Sequence, residues 1–132
     1  MQIHDIEPWN AKDLVRARLK LQEELAKRTP LRSVPVQVGM QFMCDRFVGT
    51  FQTEVSKDQF VQACMDLLKY KGITHTRKDL EELYDIFNSM DFDQSGALSL
   101  GEWAAGLSFF FRGDWSQRVH AVFNVLDRDN NR

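Results

Sequence analysis

Apolar residues recur at helical spacing in six stretches of the chain, separated by short polar breaks. Residues 1 to 9 look irregular, with Pro8-Trp9 ahead of a helix start at Asn10. From Ala11 to about Arg28, Ala11, Leu14, Val15, Leu21 and Leu25 form an incomplete stripe, which Arg18 and Gln22 interrupt and Leu19 lies off. The same segment is basic, carrying Lys12, Arg16, Arg18, Lys20, Lys27 and Arg28. After a break from Thr29-Pro30 to Pro35, a helix with Pro35 in its first turn carries Val38, Phe42, Met43 and Phe47. The next opens near Lys57 behind a Ser56/Gln59 capping box and presents Phe60, Ala63, Cys64, Leu67 and Leu68. Thr76, with Asp79 three places on, caps a strongly amphipathic helix bearing Leu80, Leu83, Tyr84, Phe87 and Met90. Ser99 and Glu102 repeat that cap ahead of Trp103, Leu107 and Phe110. Phe109, Phe110 and Phe111 would leave that helix in three directions, so at least one should meet another helix, a groove or a partner. The last stretch, Trp115 to Leu126, aligns Val119, Val122, Phe123 and Leu126.

The break between the fourth and fifth helices carries the chemistry. In Asp91-Phe92-Asp93-Gln94-Ser95-Gly96-Ala97-Leu98-Ser99-Leu100-Gly101-Glu102, oxygen donors fall at positions 1, 3, 5, 7, 9 and 12, and a glycine stands at 6. A twelve-residue loop holds a hard cation such as calcium in this way. Asp91, Asp93 and Ser95 offer side-chain oxygens and Ala97 its carbonyl; Ser99 binds directly or through water, and Glu102 closes the shell. An Asp/Gly-rich turn without metal would need neither Glu102 nor the apolar Leu98 at position 8.

Two other breaks follow the same spacing imperfectly. With Val55 at position 8, residues 48–59 place Val48 at 1, Thr50 at 3, Gln52 at 5, Thr53 at 6 and Gln59 at 12. No carboxylate takes a primary ligand position, so this loop is expected to be metal-free. Asp127, Asp129 and Asn131 begin a third loop, in which Arg132 stands where glycine is usual and no twelfth-position acid follows. The expectation is a fragment of a longer chain.

These residues resemble the EF-hand superfamily from about Val36 to Arg132. The order of defective loop, competent loop and third start is similar to the N-terminal half of neuronal calcium sensor and calcineurin-B-like proteins. The resemblance implies an all-α fold: a paired EF-hand lobe, residues 36–112, with Val55 and Leu98 facing each other across a very short two-stranded contact between the loops. Residues 1–35 would be an N-terminal extension with an amphipathic basic helix, and 113–132 the entering helix of a truncated third EF-hand.

Composition adjusts this picture. A net charge of -2 over 132 residues, with acids and bases interspersed, argues against a nucleic-acid surface. Ten Phe and five Met exceed what a core alone explains readily, and such residues also line the peptide grooves of calcium sensors. Cys44 and Cys64 fit reduced core thiols, and His4, His75 and His120 share no ligand spacing. No signal peptide or apolar span is read, and Gln2 stands where a myristoylation start needs Gly. The expected function is non-enzymatic: calcium binding coupled to a protein or amphipathic-helix partner, with residues 10–28 as an intramolecular candidate and membrane association left open. A structural or cytoskeletal scaffold and a regulatory domain of a longer enzyme are the alternatives. The expected setting is cytoplasmic, with cytoskeletal association as a variant.

Overall fold

The computed structural model describes the backbone of residues 8–48, 54–91 and 93–130, and side chains from 16 to 128 within those ranges. Six helices form: α1 (Pro8–Arg28), α2 (Val36–Phe47), α3 (Lys57–Tyr70), α4 (Arg77–Met90), α5 (Leu100–Ser108) and α6 (Trp115–Asn130). Strands β1 (Glu54–Ser56) and β2 (Ala97–Ser99) pair antiparallel with Val55 opposite Leu98, as expected. That contact joins α2-β1-α3 to α4-β2-α5, giving the architecture of a paired EF-hand lobe. It also explains why two incomplete units associate: each strand satisfies the other's edge, and both facing side chains are buried.

The helix starts are set locally by reciprocal caps. Ser56 and Gln59 exchange hydrogen bonds of 2.9 and 3.3 Å at α3, and Thr76 and Asp79 bonds of 2.9 and 3.1 Å at α4. Each such cap contributes about 1 kcal/mol. The apolar faces then meet in one core, where the Phe60 and Phe87 rings lie 5.6 Å apart and Trp103, Leu68 and Leu83 are buried beside them.

Four departures from the sequence reading have physical reasons. First, Pro35 caps α2 from outside the helix, because the neighbouring backbone is engaged elsewhere: Val36 N–H donates to Arg112 carbonyl at 2.7 Å and Arg112 N–H to Val34 carbonyl at 2.9 Å. Second, α5 ends at Ser108, and a tight turn closed by Phe109 N–H on Gly106 carbonyl redirects the three phenylalanines. Phe110 and Phe111 thereby both reach the core, and Phe109 is left half-buried. Third, α6 runs four residues past Leu126, so Asp127 sits on a helix; Arg128 holds this end by an ion pair to Asp45 of α2 at 2.6 Å. Asn131, Arg132 and the side chain of Asp129 lie outside the described residues, so the proposed third loop is described only at its start. Fourth, α1 begins at Pro8, and its contact with the lobe is confined to its C-terminal half. Leu25 and Ala26 are buried, Gln22 donates to Ser89 carbonyl of α4 at 3.0 Å, and Arg28 pairs with Glu82 at 3.0 Å, whereas Leu21 is exposed. The side chains of Ala11, Leu14 and Val15 lie outside the described residues.

Candidate metal centre

α4 delivers Asp91 to the loop as its C-terminal cap, with Asp91 N–H donating to Phe87 carbonyl at 3.0 Å. The loop turns on Gln94 (φ 55°) and Gly96 (φ 85°). A Cβ at Gly96 would meet nothing within 4 Å, so glycine is needed there for its backbone conformation and not for space. Gln94 accommodates its own left-handed turn by donating through its side chain to Asp91 carbonyl at 2.8 Å.

Asp91 is only 3 % exposed, yet its carboxylate is well provided with donors. Oδ2 accepts from Gly96 N–H at 2.8 Å, and Oδ1 from Ser95 N–H at 3.2 Å. Ser95 is the hub of the cluster: its N–H also reaches Asp93 Oδ1 at 3.2 Å, and its Oγ lies 3.3 Å from Asp91 Oδ1 and 2.9 Å from Ala97 carbonyl. One hydroxyl proton serves only one of those two acceptors at a time. Asp93 is held below the usual carboxylate range, first by its hydrogen-bonding contact with the Asp91 carboxyl and then by Ser95. Two carboxyls this close repel when both are ionised, a cost that a cation removes.

Asp91, Asp93, Ser95 and the Ala97 carbonyl are therefore brought together. The other two candidates are engaged with each other: Ser99 N–H donates to Glu102 Oε1 at 2.8 Å, and Glu102 N–H to Ser99 Oγ at 3.3 Å. Among the described residues no three His, Cys, Asp or Glu side chains converge to hold a metal, which agrees with Glu102 being turned toward the start of α5. All six donors are hard oxygens in the right order, so the set fits calcium by chemistry, with the twelfth-position carboxylate serving as a helix cap in this geometry.

The companion loop has the same construction at its exit. Gln59 occupies the place equivalent to Glu102 and caps β1-α3 with the same pair of bonds, but carries no charge. Its candidate positions Thr50, Gln52 and Thr53 lie outside the described residues, as do Gln2 and His4. His75 and His120 are exposed; Cys44 and Cys64 are buried and unpaired, and burial pushes the Cys64 thiol up, away from the reactive range.

The sequence reading missed one feature of this half of the molecule, a fourth reciprocal cap in which Asp114 and Gln117 exchange bonds of 2.8 and 2.9 Å at the start of α6. The signal was present as an acid followed three places later by Gln, ahead of an apolar run. It fixes α6 against α5, and a groove of about 440 Å³ opens between them.

Comparison with known proteins agrees with this geometry at a general level. The chain is 30% identical to calaxin from Bos taurus over 77 residues, 56% of this chain and 36% of that protein, so it spans about a third of that relative's length. No family model and no solved structure matches it. Together the six-helix lobe with its paired loops and this similarity support a general link to the EF-hand calcium-binding proteins.

Proposed function

We propose that this chain is a calcium-binding regulatory module in which the loop at 91–102 takes one ion and relays its binding to a protein partner. The observation that carries the reading is the split donor set. Asp91, Asp93, Ser95 and the Ala97 carbonyl are gathered through Ser95, and Glu102, the remaining acid, sits in the first turn of α5 bonded to Ser99. Bound calcium supplies the divalent charge that offsets the repulsion among the three carboxylates. Everything else belongs to the chain. Glu102 turned toward Asp91 would release Ser99 N–H, so the start of α5 is sensitive to the direction of one carboxylate. Trp103 and Leu107 follow on the same short helix and are buried in the lobe, so a shift of its first turn has to be accommodated by the core. Gln59 keeps the companion cap in place, which favours a modest rearrangement over a wide opening. Sensor EF-hands open on this kind of lever, and buffering ones barely move.

Calorimetric titration with calcium, and separately with magnesium, tests the reading. One specific calcium site per chain is expected. Two tight sites would contradict the assignment of residues 48–59, and none would contradict the assignment of 91–102. Coupling to a partner is reciprocal, so a partner bound more tightly in calcium must strengthen calcium binding by the same factor. A partner bound equally in calcium and chelator would leave a structural scaffold as the better description.

A further inference from the structure

α6 faces inward with small residues and outward with large ones. Ala121 and Val125 are its buried positions against α2, while Trp115 is 79% and Phe123 62% exposed. The outward residues border the groove with α5, whose floor includes Phe109, Val119 and Val122. Folding normally places the larger apolar side chains inside. A helix that does the reverse, beside a groove of this size, presents an unfilled contact surface.

Charge adds direction. Arg118 is the charged residue of the groove lining, and its guanidinium lies 5.8 Å from the centre of the Phe109 ring. Nε and Nη2 donate to the Ser108 and Phe111 carbonyls, each at 3.2 Å, so the cation is held in place. It makes no ion pair with a described residue, and it is partly desolvated, with the charge of Arg32 acting against it. Eight residues further along α6, about 12 Å by helical rise, the groove ends at Leu126, and exposed Asp127 follows one turn beyond Phe123. The surface is thus apolar along two helical turns, cationic at one end and anionic at the other.

We infer that the α5/α6 groove is the docking site for an amphipathic helix whose apolar residues recur at i, i+3 or i+4 and i+7, with an acidic residue meeting Arg118 and a basic one at the Asp127 end. This rests on the reading of the chain as a partner-binding module and names the partner's chemistry. Helix-in-groove recognition uses that spacing over about two turns, the length available here. The open rim decides against an isolated acyl chain or small amphiphile, because such ligands are mostly enclosed by their sites, whereas Trp115 and Phe123 stand out from the wall. Exposed aromatics at a groove edge are suited to closing over a second helix.

The test uses the whole chain and three synthetic helical peptides of about 16 residues, long enough to hold helical structure when bound. One carries the apolar stripe with Glu at the Arg118 end and Lys at the other; one has those charges exchanged; one has the stripe scrambled. Binding is followed by fluorescence anisotropy of labelled peptide, in calcium and in chelator, with calcium binding measured separately by calorimetry. The first peptide is expected to bind about tenfold or more tightly than either of the others, and Trp115→Ala and Phe123→Ala each to weaken it by about tenfold. Both residues are exposed, so these variants retain the fold. Asp127→Lys should shift preference toward a peptide with acids at both ends. Equal binding of the charge-exchanged peptide, or binding untouched by both aromatic variants, would overturn the inference. So would no peptide binding together with Trp115-dependent adhesion to phosphatidylcholine/phosphatidylserine vesicles, or Trp115-dependent self-association. Peptide binding as expected in a chain that takes no calcium would refute the calcium reading alone; one calcium bound with no peptide binding would refute the groove alone.

Discussion

Replacing Glu102 by Gln separates the two tasks assigned to one side chain. In the structure its Oε1 accepts the Ser99 N–H at 2.8 Å, and its own N–H is capped by Ser99 Oγ. Glutamine keeps a carbonyl oxygen of the same reach, as Gln59 demonstrates at the companion helix with a bond of 2.9 Å. The cap therefore survives, and stability in chelator should change by less than about 0.5 kcal/mol, whereas Glu102→Ala loses the reciprocal bond and should cost about 1 kcal/mol. Calcium separates the variants differently. An ion that binds only the folded state stabilises it by RT ln(1 + [L]/Kd), about 2.7 kcal/mol at a hundred times Kd. For a chain of this size that raises Tm by several degrees. Wild type should show that increment; Glu102→Gln, which lacks the charge and the bidentate clamp, should show little of it at the same calcium concentration. Urea denaturation in chelator and in calcium measures both quantities on one sample. An unchanged calcium increment in Glu102→Gln would refute the role given to this carboxylate, and a large loss of stability in chelator would refute the claim that glutamine preserves the cap.

Other outcomes follow from the packing. Leu25→Ala should destabilise by about 2–5 kcal/mol and increase hydrophobic dye binding, whereas Leu21→Ala, at a 44% exposed site, should stay within about 0.5 kcal/mol; equal effects would mean that α1 docks along its whole length. Gly39→Ala should destabilise by about 1–3 kcal/mol, because its Cβ would stand 2.5 Å from the buried Phe111 ring; Gly106→Ala should be close to neutral, because its nearest neighbour is the flexible Met90 side chain. Thermal melts of the two variants check this contrast. Asp66 is held below the usual carboxylate range, first by its hydrogen bond to Arg46 and then by Gln62. Its folded-state value is depressed, so its contribution is full above the unfolded carboxylate pKa and is lost as pH falls through the folded one. The pair is partly exposed, so Asp66→Asn should cost less than about 1 kcal/mol at neutral pH, with the difference from wild type vanishing in acid; a difference that grew in acid would contradict the sign.

The sequence by itself determined the features that depend on neighbours along the chain. The three expected caps at Ser56, Thr76 and Ser99 are satisfied within four residues, and helical spacing is a property of each segment alone. The register of Val55 on Leu98 was legible for a related reason, since the loop spacing leaves only one position on each side for the inward apolar residue. The order of oxygen donors from Asp91 to Glu102 was equally local.

Tertiary structure decided what the local pattern left open. Helical period could not show that α5 stops at Ser108, because the stop goes with a bridge between Arg112 and residues 34 and 36, far away in sequence. That bridge lets Phe110 and Phe111 enter the same core, and Phe111 fits only because residue 39 lacks a Cβ. The stripe on α1 did not reveal that only Leu25 and Ala26 meet α4, since that depends on the angle at which the chain leaves Arg28. Nor did the sequence show that the larger apolar residues of α6 face outward. Which side of an amphipathic helix is buried depends on the surfaces available to it, and α2 already holds Ala121 and Val125.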